Sequence, residues 1–401
     1  MKSITRYFVL LLIILVFFLS LNNLASGATS TQNIENTIPS IVWVKTYGQA
    51  GDDEGLSIAA VGNDGYIIGG GTETSVTHLD DSWLKRIDNN GVTRWTQHTV
   101  PLILDDAHTI VPTSDGGFII SGCTEPFGEH GPENAAIIKM DGAGNFVWND
   151  SPLKNLNEVA YAAFENSKGM YIFTGHTTNT DYSVINPILG LIDKNGKILW
   201  VKTLTSDKPT DSQSIVETPD GGYILAGYRD VTGNGNIDAW VAKVNNVGEL
   251  QWEKTYGGGK TDSAHKIIAG GEGKYVIVGE TDSQGSGSKD VWIFSINPDG
   301  KLLWQKTYGG KNDDRGFSLT QTQDGGYLIA ATTASYGAGK TDAWLIKIDP
   351  EGNAQWSKTV GGVNDDNANS VIEDGKGEYL LIGNTDSYGA GDFDAWVVEL
   401  K

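Results

Sequence analysis

"DAWLIKIDPEGNAQWSKTVGG", residues 342–362, contains two apolar runs separated by a Gly-containing turn, and the second run carries Trp356. Closely similar stretches occur at 238–258, "DAWVAKVNNVGELQWEKTYGG", and at 290–310, "DVWIFSINPDGKLLWQKTYGG". The same local sequence pattern is therefore repeated along the chain. An internal repeat restricts the possible folds more strongly than any other sequence feature.

The tryptophan of the second run marks the period of this repeat. It occurs seven times at spacings of 52 or 53 residues, at Trp43, Trp95, Trp148, Trp200, Trp252, Trp304 and Trp356. A second Trp follows about 40 residues after the marker in five units, at Trp83, Trp240, Trp292, Trp344 and Trp396. Ala136 and Ile188 take that position in the other two units. The spacing predicts seven structurally equivalent units.

Each unit reads as four short strands. Around Trp200 the runs at 211–218, 223–229, 238–244 and 249–256 are rich in β-branched and aromatic residues and are bounded by turn formers. Four strands in a unit of about 50 residues are typical of a β-propeller blade. The sequence therefore predicts an all-β fold, a seven-bladed β-propeller with four-stranded blades.

The two ends of the repeat region complete one blade. Residues 41–47, "IVWVKTY", read as a lone fourth strand, and the chain ends after a third strand, "DAWVVEL", at 394–400. We expect the N-terminal strand to join the C-terminal blade and close the ring, because closure removes open sheet edges.

A turn motif supports this fold by resemblance. The spacing Asp-x-x-Gly-x-x-x-Trp recurs in "DPEGNAQW" (349–356) and "DKNGKILW" (193–200), with Asn replacing Asp in "NPDGKLLW" (297–304). It resembles the tryptophan-docking motif of quinoprotein-like propellers, and the "TYGG" loops look like seven-bladed repeats of secreted bacterial and archaeal proteins. The resemblance covers 41–401 and implies the fold rather than a function. Quinone-dependent dehydrogenases usually have eight blades, and many carry a disulfide of adjacent cysteines, which the single Cys123 excludes.

The N-terminal segment has the order of a secretory signal. Lys2 and Arg6 precede or flank an apolar run of about fifteen residues, and small residues follow. We predict a signal peptide at 1–28, a short polar linker at 29–40 and the propeller at 41–401. The protein would then be secreted or held at the cell surface. An uncleaved membrane anchor is the alternative, although the run is short for a hydrocarbon core of ~30 Å.

The charge is strongly acidic. The chain has 50 Asp and Glu against 29 Lys and Arg, a formal net charge of −21. Such a surface repels nucleic acid, and it suits basic partners, cations or simple solubility. We therefore expect an extracellular protein or glycan as partner, no nucleic acid, membrane contact only through an uncleaved N-terminal segment, and a monomer.

Two acidic columns recur in the repeat. The first lies ten residues after each marker, at Asp53, Asp105, Glu158, Thr210, Asp262, Asp314 and Asp366, and the second precedes the third strand, at Asp81, Asn134, Asn186, Asp238, Asp290, Asp342 and Asp394. Their position next to Gly-rich loops predicts a structural role, in which the side-chain oxygens accept hydrogen bonds from loop N–H groups.

One loop resembles the start of a calcium-binding loop. In "DVTGNGNID", 230–238, Asp230, Thr232, Asn234 and Asp238 occupy ligand positions and Gly235 occupies the glycine position. The twelfth position holds Val241 instead of a bidentate Glu, and the flanks read as strands. The interpretations are a weak calcium site or an ordinary loop. No other cofactor is indicated.

A variable column inside an otherwise constant strand indicates a binding site. It lies three residues past the first acidic column, at Leu56, His108, Tyr161, Gln213, His265, Phe317 and Asn369. We expect it to ring the channel mouth, with His108, Tyr161, Gln213, His265 and Phe317 as ligand contacts. A second variable column should lie on the same face, at Gly71, Cys123, His176, Tyr228, Glu280, Thr332 and Asn384.

Histidines are concentrated in the first three units. His78, His108, His130 and His176, with Cys123, form a possible metal-ligand set that only the fold could assemble. The alternative is a scattered set. The second and third units, which lack the second Trp, are either drifted copies or a patch for a specific partner.

No catalytic signature is recognisable in the sequence. The first hypothesis is therefore a non-catalytic binding scaffold that acts through its loop-rich face. The alternative is a propeller enzyme, a lyase or hydrolase acting on extracellular glycans, with His108 or His265 as the base.

Overall fold

The computed structural model describes residues 38–48, 51–73, 80–98, 106–124, 134–150, 157–179, 183–233 and 235–401. Within these ranges the chain is all-β, with seven antiparallel four-stranded sheets that form the blades of a propeller. The predicted fold class is confirmed. The described residues include no helix that could span a membrane. The predicted signal peptide at 1–28, and the linker up to residue 37, lie outside the described residues.

The strands follow one another from the channel outward in each blade. Blade 1 contains β2 (Asp53–Ala60), β3 (Tyr66–Glu73), β4 (Asp80–Ile87) and β5 (Thr93–His98). Blade 2 contains β6 (Asp106–Pro112), β7 (Phe118–Thr124), β8 (Asn134–Met140) and β9 (Phe146–Asp150). Blade 3 contains β10 (Asn157–Glu165), β11 (Tyr171–Thr178), β12 (Ile185–Ile192) and β13 (Ile198–Thr203). Blade 4 contains β14 (Thr210–Glu217), β15 (Tyr223–Asp230), β16 (Ile237–Val244) and β17 (Leu250–Tyr256).

The remaining blades follow the same plan. Blade 5 contains β18 (Asp262–Ala269), β19 (Tyr275–Thr281), β20 (Asp290–Ile296) and β21 (Leu302–Tyr308). Blade 6 contains β22 (Asp314–Gln321), β23 (Tyr327–Thr333), β24 (Asp342–Ile348) and β25 (Ala354–Val360). Blade 7 contains β26 (Ser370–Glu373), β27 (Tyr379–Thr385), β28 (Asp394–Leu400) and the first strand of the chain, β1 (Ile41–Thr46).

Blade 7 closes the ring with strands from both ends of the chain. The strand β1 pairs antiparallel with β28, so that Trp43 lies opposite Glu399 and Thr46 lies opposite Trp396. The pairing extends to Ser40, whose backbone N–H donates to the Lys401 carbonyl at 2.7 Å. The predicted closure by the N-terminal strand is therefore confirmed.

The core lies between the blades. Seven apolar clusters each join two adjacent sheets; in the first, Ile67 and Leu84 of blade 1 pack with Ile110 and Phe118 of blade 2. The second tryptophan column is buried in these junctions, at Trp83, Trp240, Trp292, Trp344 and Trp396. Because both faces of most sheets are buried in this way, the second and third strands read as nearly continuous apolar runs.

The turn between the third and fourth strands explains the Asp-x-x-Gly spacing. In blade 6 the Asp349 carboxylate accepts hydrogen bonds from the backbone N–H groups of Glu351 at 3.0 Å and Asn353 at 2.7 Å. The side-chain carbonyl of Asn297 accepts the equivalent two bonds in blade 5. An amide oxygen serves as well as a carboxylate here, which accounts for the Asn in "NPDGKLLW".

The glycine of this turn receives the marker tryptophan of the preceding blade. Six such pairs are formed: Trp43–Gly91, Trp95–Gly144, Trp148–Gly196, Trp200–Gly248, Trp252–Gly300 and Trp304–Gly352. Gly300 has a φ of 70°, and a Cβ there would lie 2.9 Å from the Trp252 ring. The Trp252 indole also donates to the Pro298 carbonyl at 3.1 Å. Glycine is needed for both its backbone conformation and its missing side chain.

Removing residues 41–47 should destabilise the whole ring. Blade 7 would lose its outer strand, and the Trp43 ring would no longer cover Gly91 of blade 1. We expect the melting temperature to fall by roughly 5 °C or more, with loss of a single cooperative transition. Calorimetry measures both effects, and deletion of residues 1–28 is the control that should leave them unchanged. Equal melting of the two deletion variants would contradict the closure.

Candidate binding site at the channel mouth

A β-bulge interrupts the innermost strand of six blades at the same position. In blade 5, Ala264 pairs with Gly279 and Lys266 pairs with Val278, so that His265 has no place in the ladder. The residues skipped in this way are Leu56, His108, Tyr161, Gln213, His265 and Phe317. A bulged residue is released from the regular alternation of side chains. This release explains why the column varies while its neighbours do not.

The bulged residues of the different blades line one central cavity. Its volume is about 610 Å³, and its wall includes all seven members of the variable column. The five predicted contacts, His108, Tyr161, Gln213, His265 and Phe317, are thus brought together by the fold. Leu56 and Asn369 complete the ring.

Aromatic and imidazole rings form two groups around this cavity. On one side Tyr161 contacts two histidines, and its ring centroid lies 5.0 Å from that of His108 and 5.5 Å from that of His176. On another side His265 stacks on Phe317 at 5.6 Å with an interplanar angle of 16°. The cavity therefore offers flat, partly polar surfaces of the kind that pack against the faces of polar rings.

The carboxylate of Asp211 contacts several side chains on the Tyr161 side of the cavity. Its carboxylate is fully buried and accepts a hydrogen bond from the Gln213 amide at 2.7 Å. The other oxygen lies 3.2 Å from Nδ1 of His176, and the Tyr228 hydroxyl also hydrogen-bonds to this carboxylate. The sequence analysis did not select Asp211. The sequence signal that could have identified it is the variability of the equivalent position in the other blades, which holds Glu54, Asp106, Val159, Ser263, Arg315 and Asn367.

Burial favours the neutral forms of His108, Tyr161 and Tyr228 on this side. It lowers the pKa of His108 to about 4; Asp211 opposes this shift and His176 adds to it. Burial also raises the pKa of Tyr161 and of Tyr228, and the negative charge of Asp211 raises both further. The two phenols therefore remain hydrogen-bond donors at neutral pH.

The His265 side is built differently. Nδ1 of His265 donates to the Gly316 carbonyl at 2.9 Å, and Nε2 lies 3.1 Å from the Ser263 hydroxyl, which donates to it. Burial lowers the pKa of this imidazole. Both ring nitrogens are therefore engaged by the protein, and His265 acts as part of the cavity wall. Nearby, the buried Glu280 forms ion pairs with Lys289 and Arg315.

Several members of the acidic columns bind the loops, as the sequence predicts, whereas both carboxylate oxygens of Glu158 are buried without a hydrogen-bond partner among the described residues. In the first column the carboxylates of Asp262, Asp314 and Asp366 accept from the backbone N–H groups four residues earlier, at 2.7–2.8 Å. In the second column Asp290 accepts from the Ser286 N–H at 2.7 Å, and Asp394 from the Ala390 N–H at 2.7 Å. These interactions bind the Gly-rich loops concerned to the start of the following strand.

The predicted calcium ligands lie in two different settings. The Asp230 carboxylate accepts hydrogen bonds from the N–H groups of Thr232, Gly233 and Gly235 at 2.8–3.1 Å. One oxygen of Asp238 is buried without a hydrogen-bond partner, and burial and the nearby Asp262 raise its pKa. Asn234 lies outside the described residues. Among the residues that the structure describes, no group of three or more His, Cys, Asp or Glu could hold a metal ion.

Only some of the predicted histidine and cysteine ligands lie within the described residues. His78 and His130 lie outside the described residues, as does most of the loop that precedes β8. His108 and His176 both contact the Tyr161 ring, and Cys123 is buried in β7. His176 and Tyr228 both belong to the second variable column, and both contact the Asp211 carboxylate.

Comparisons with known proteins show the fold alone. No family model matches the chain. The regulatory protein FlaEY of Caulobacter vibrioides is 22% identical over 227 residues, which is 47% of this chain and 23% of that protein. The WD40 domain of Pan2 from Neurospora crassa superposes with a TM-score of 0.55 at 9% identity, covering 90% of this chain and 95% of the domain. A puromycin hydrolase superposes with a TM-score of 0.54 at 12% identity, covering 85% of this chain and 51% of the hydrolase.

His108 should titrate near pH 4, well below an ordinary histidine. The unfolded chain binds a proton at this residue below about pH 6.5, whereas the folded chain does so only near pH 4. Stability contributed by neutral His108 is therefore present above pH 6.5 and is lost as the pH falls through this window. As the pH falls through this range, the unmodified protein should lose stability relative to His108→Leu. NMR titration and chemical denaturation measure these quantities, and an ordinary His108 titration would contradict the burial argument.

Asp230→Ala should lower the melting temperature equally in calcium and in chelator. The substitution removes three hydrogen bonds to loop N–H groups, and none of them needs a metal. Thermal unfolding of both proteins under both conditions measures the effect, with Asp207→Ala, in the adjacent loop, as a matched control. A calcium-dependent gain for the unmodified protein that Asp230→Ala abolishes would instead establish a calcium site.

Proposed function

We propose that this protein is a secreted or surface-held binding protein that takes up a polar ligand, such as a unit of a glycan, at the channel mouth. One observation carries the proposal. The variable residue of each innermost strand lines one shared cavity, and in six of the seven blades it carries an aromatic, imidazole or amide side chain.

The chemistry of the cavity supports a small polar ligand over a large protein partner. The Tyr161 and Phe317 rings provide apolar faces, and neutral phenols and amides provide fixed hydrogen bonds. Such a mixture of apolar walls and few oriented polar groups is typical of small-molecule sites. The volume of about 610 Å³ lies in the range that accommodates one or two sugar rings.

A second candidate function is supported by Asp211 and the side chains that contact it, His176, Gln213 and Tyr228. A buried carboxylate next to Nδ1 of His176, with Tyr161 in ring contact, is an arrangement that can orient an imidazole for proton transfer. The alternative is therefore an enzyme acting on extracellular glycans. A lyase fits better than a hydrolase, because the described wall of the cavity includes no Asp or Glu from which a second carboxylate could act.

Replacing Tyr161 and Phe317 together by Ala should abolish glycan binding and leave the melting temperature nearly unchanged. Both rings line the cavity, and both occupy bulged positions that vary freely between blades. A glycan array followed by calorimetry measures the binding, with Phe146→Ala on the exposed outer strand of blade 2 as the control. Full binding by the double variant would move the site elsewhere. Depolymerisation of a bound polysaccharide that His176→Ala abolishes would favour the enzyme.

A further inference from the structure

One position of the innermost strand breaks the repeat. Fourteen residues after the marker tryptophan, six units carry a small residue, at Ser57, Thr109, Ala162, Ser214, Ser318 and Ser370. Blade 5 carries Lys266 instead. Two of the serines serve the fold, because Ser57 accepts from the Ile110 N–H at 3.0 Å and Ser214 from the Ile267 N–H at 3.3 Å. An ammonium group cannot accept such a bond, so Lys266 is not a substitute for the structural serine.

Lys266 lies inside the channel, directly after the bulged His265. It lines the central cavity and also a second cavity of about 220 Å³ formed by blades 2–5. Thr109 and Val111 border both cavities as well. The second cavity is otherwise mainly apolar, with Phe164, Ile215 and Ile268 in its wall. The lysine is therefore the basic group that a ligand entering past the mouth would meet next.

The amine has no counter-ion in the described part of the protein. The structure shows no hydrogen bond or ion pair to it, and the described walls of both cavities contain no Asp or Glu. Burial alone lowers its pKa. This is unusual in a chain with 50 acidic and 29 basic residues. A partly buried amine without a partner destabilises a fold, and a small residue suffices in the six other blades, so a ligand is the natural source of the missing charge.

We propose that Lys266 binds the carboxylate of a ligand in the channel, and that the ligand is therefore a uronic acid unit of an acidic glycan. The proposal rests on the function proposed above, and it names the class of glycan. The sugar ring would contact the aromatic groups at the mouth, and its carboxylate would reach the amine below His265. A charge-assisted hydrogen bond in a partly dehydrated channel is strong enough to select acidic over neutral sugars.

The decisive variant is Lys266→Ser, which introduces the residue that blades 1, 4, 6 and 7 carry. It should fold with an unchanged or higher melting temperature, because a partly buried, unpaired amine is removed. Calorimetry would compare uronic acid oligosaccharides with their carboxyl-reduced counterparts. The unmodified protein should prefer the acidic form, and Lys266→Ser should lose about tenfold in affinity for it with little change for the reduced form. Lys260→Ser, at an exposed amine paired with Asp282, is the matched control.

An NMR measurement separates this inference from the proposed function. Reductive methylation labels the Lys266 amine, and Lys266→Ser assigns its signal. A saturable shift with acetate would support the carboxylate site even if no oligosaccharide binds. A signal that no carboxylate moves, or that phosphate or sulfate moves at lower concentration, would overturn it. Equal binding of acidic oligosaccharides by Lys266→Ser and the unmodified protein would also overturn it, whereas loss of all sugar binding by the Tyr161 and Phe317 double variant concerns the proposed function alone.

Discussion

The contact of one blade with the next is the interaction on which the structure depends. A four-stranded sheet that is apolar on both faces is not stable alone. Here each sheet buries its two faces against the two neighbouring sheets. At the outer edge the marker indole lies on a turn glycine of the next blade, as Trp252 lies on Gly300. Because every junction uses the same surfaces, the last junction must close on the first, and β1 provides the missing strand.

This constraint also determines where function can be placed. Positions that face a neighbouring blade must stay apolar or small, since the junction has no room for change. In six blades a bulge releases one residue from that demand, and these residues line the channel together with Asn369 of blade 7. Seven blades therefore offer seven independent side chains around one cavity, and changes among them leave the junctions intact. The His108–Tyr161–His176 group and the His265–Phe317 pair are two results of this freedom.

The charged residues also separate into those that stabilise the fold and those that line the channel. The carboxylates of the loop-rich face are engaged by loop N–H groups, as Asp314 is by Gly310, so much of the acidity has a structural use. The channel wall, in contrast, has no acidic residue among those that the structure describes, and Lys266 lies there without a counter-ion. The unpaired amine would favour a ligand that carries a carboxylate, whereas the acidic outer surface would disfavour ligands with a high density of negative charge.

The sequence by itself determined the seven blades, the four strands of each, the closing strand and the ring of variable residues. These features follow from local periodicity, and a repeat shows seven times which positions packing controls. Only the tertiary structure decided that Asp211 lies behind Tyr228 and His176, that His265 has both nitrogens engaged, and that Lys266 has no counter-ion. Those properties depend on contacts between strands and blades that are distant in sequence, such as Asp211–His176 over 35 residues and His265–Gly316 over 51, and on burial in the channel. A pattern within one repeat contains neither of these.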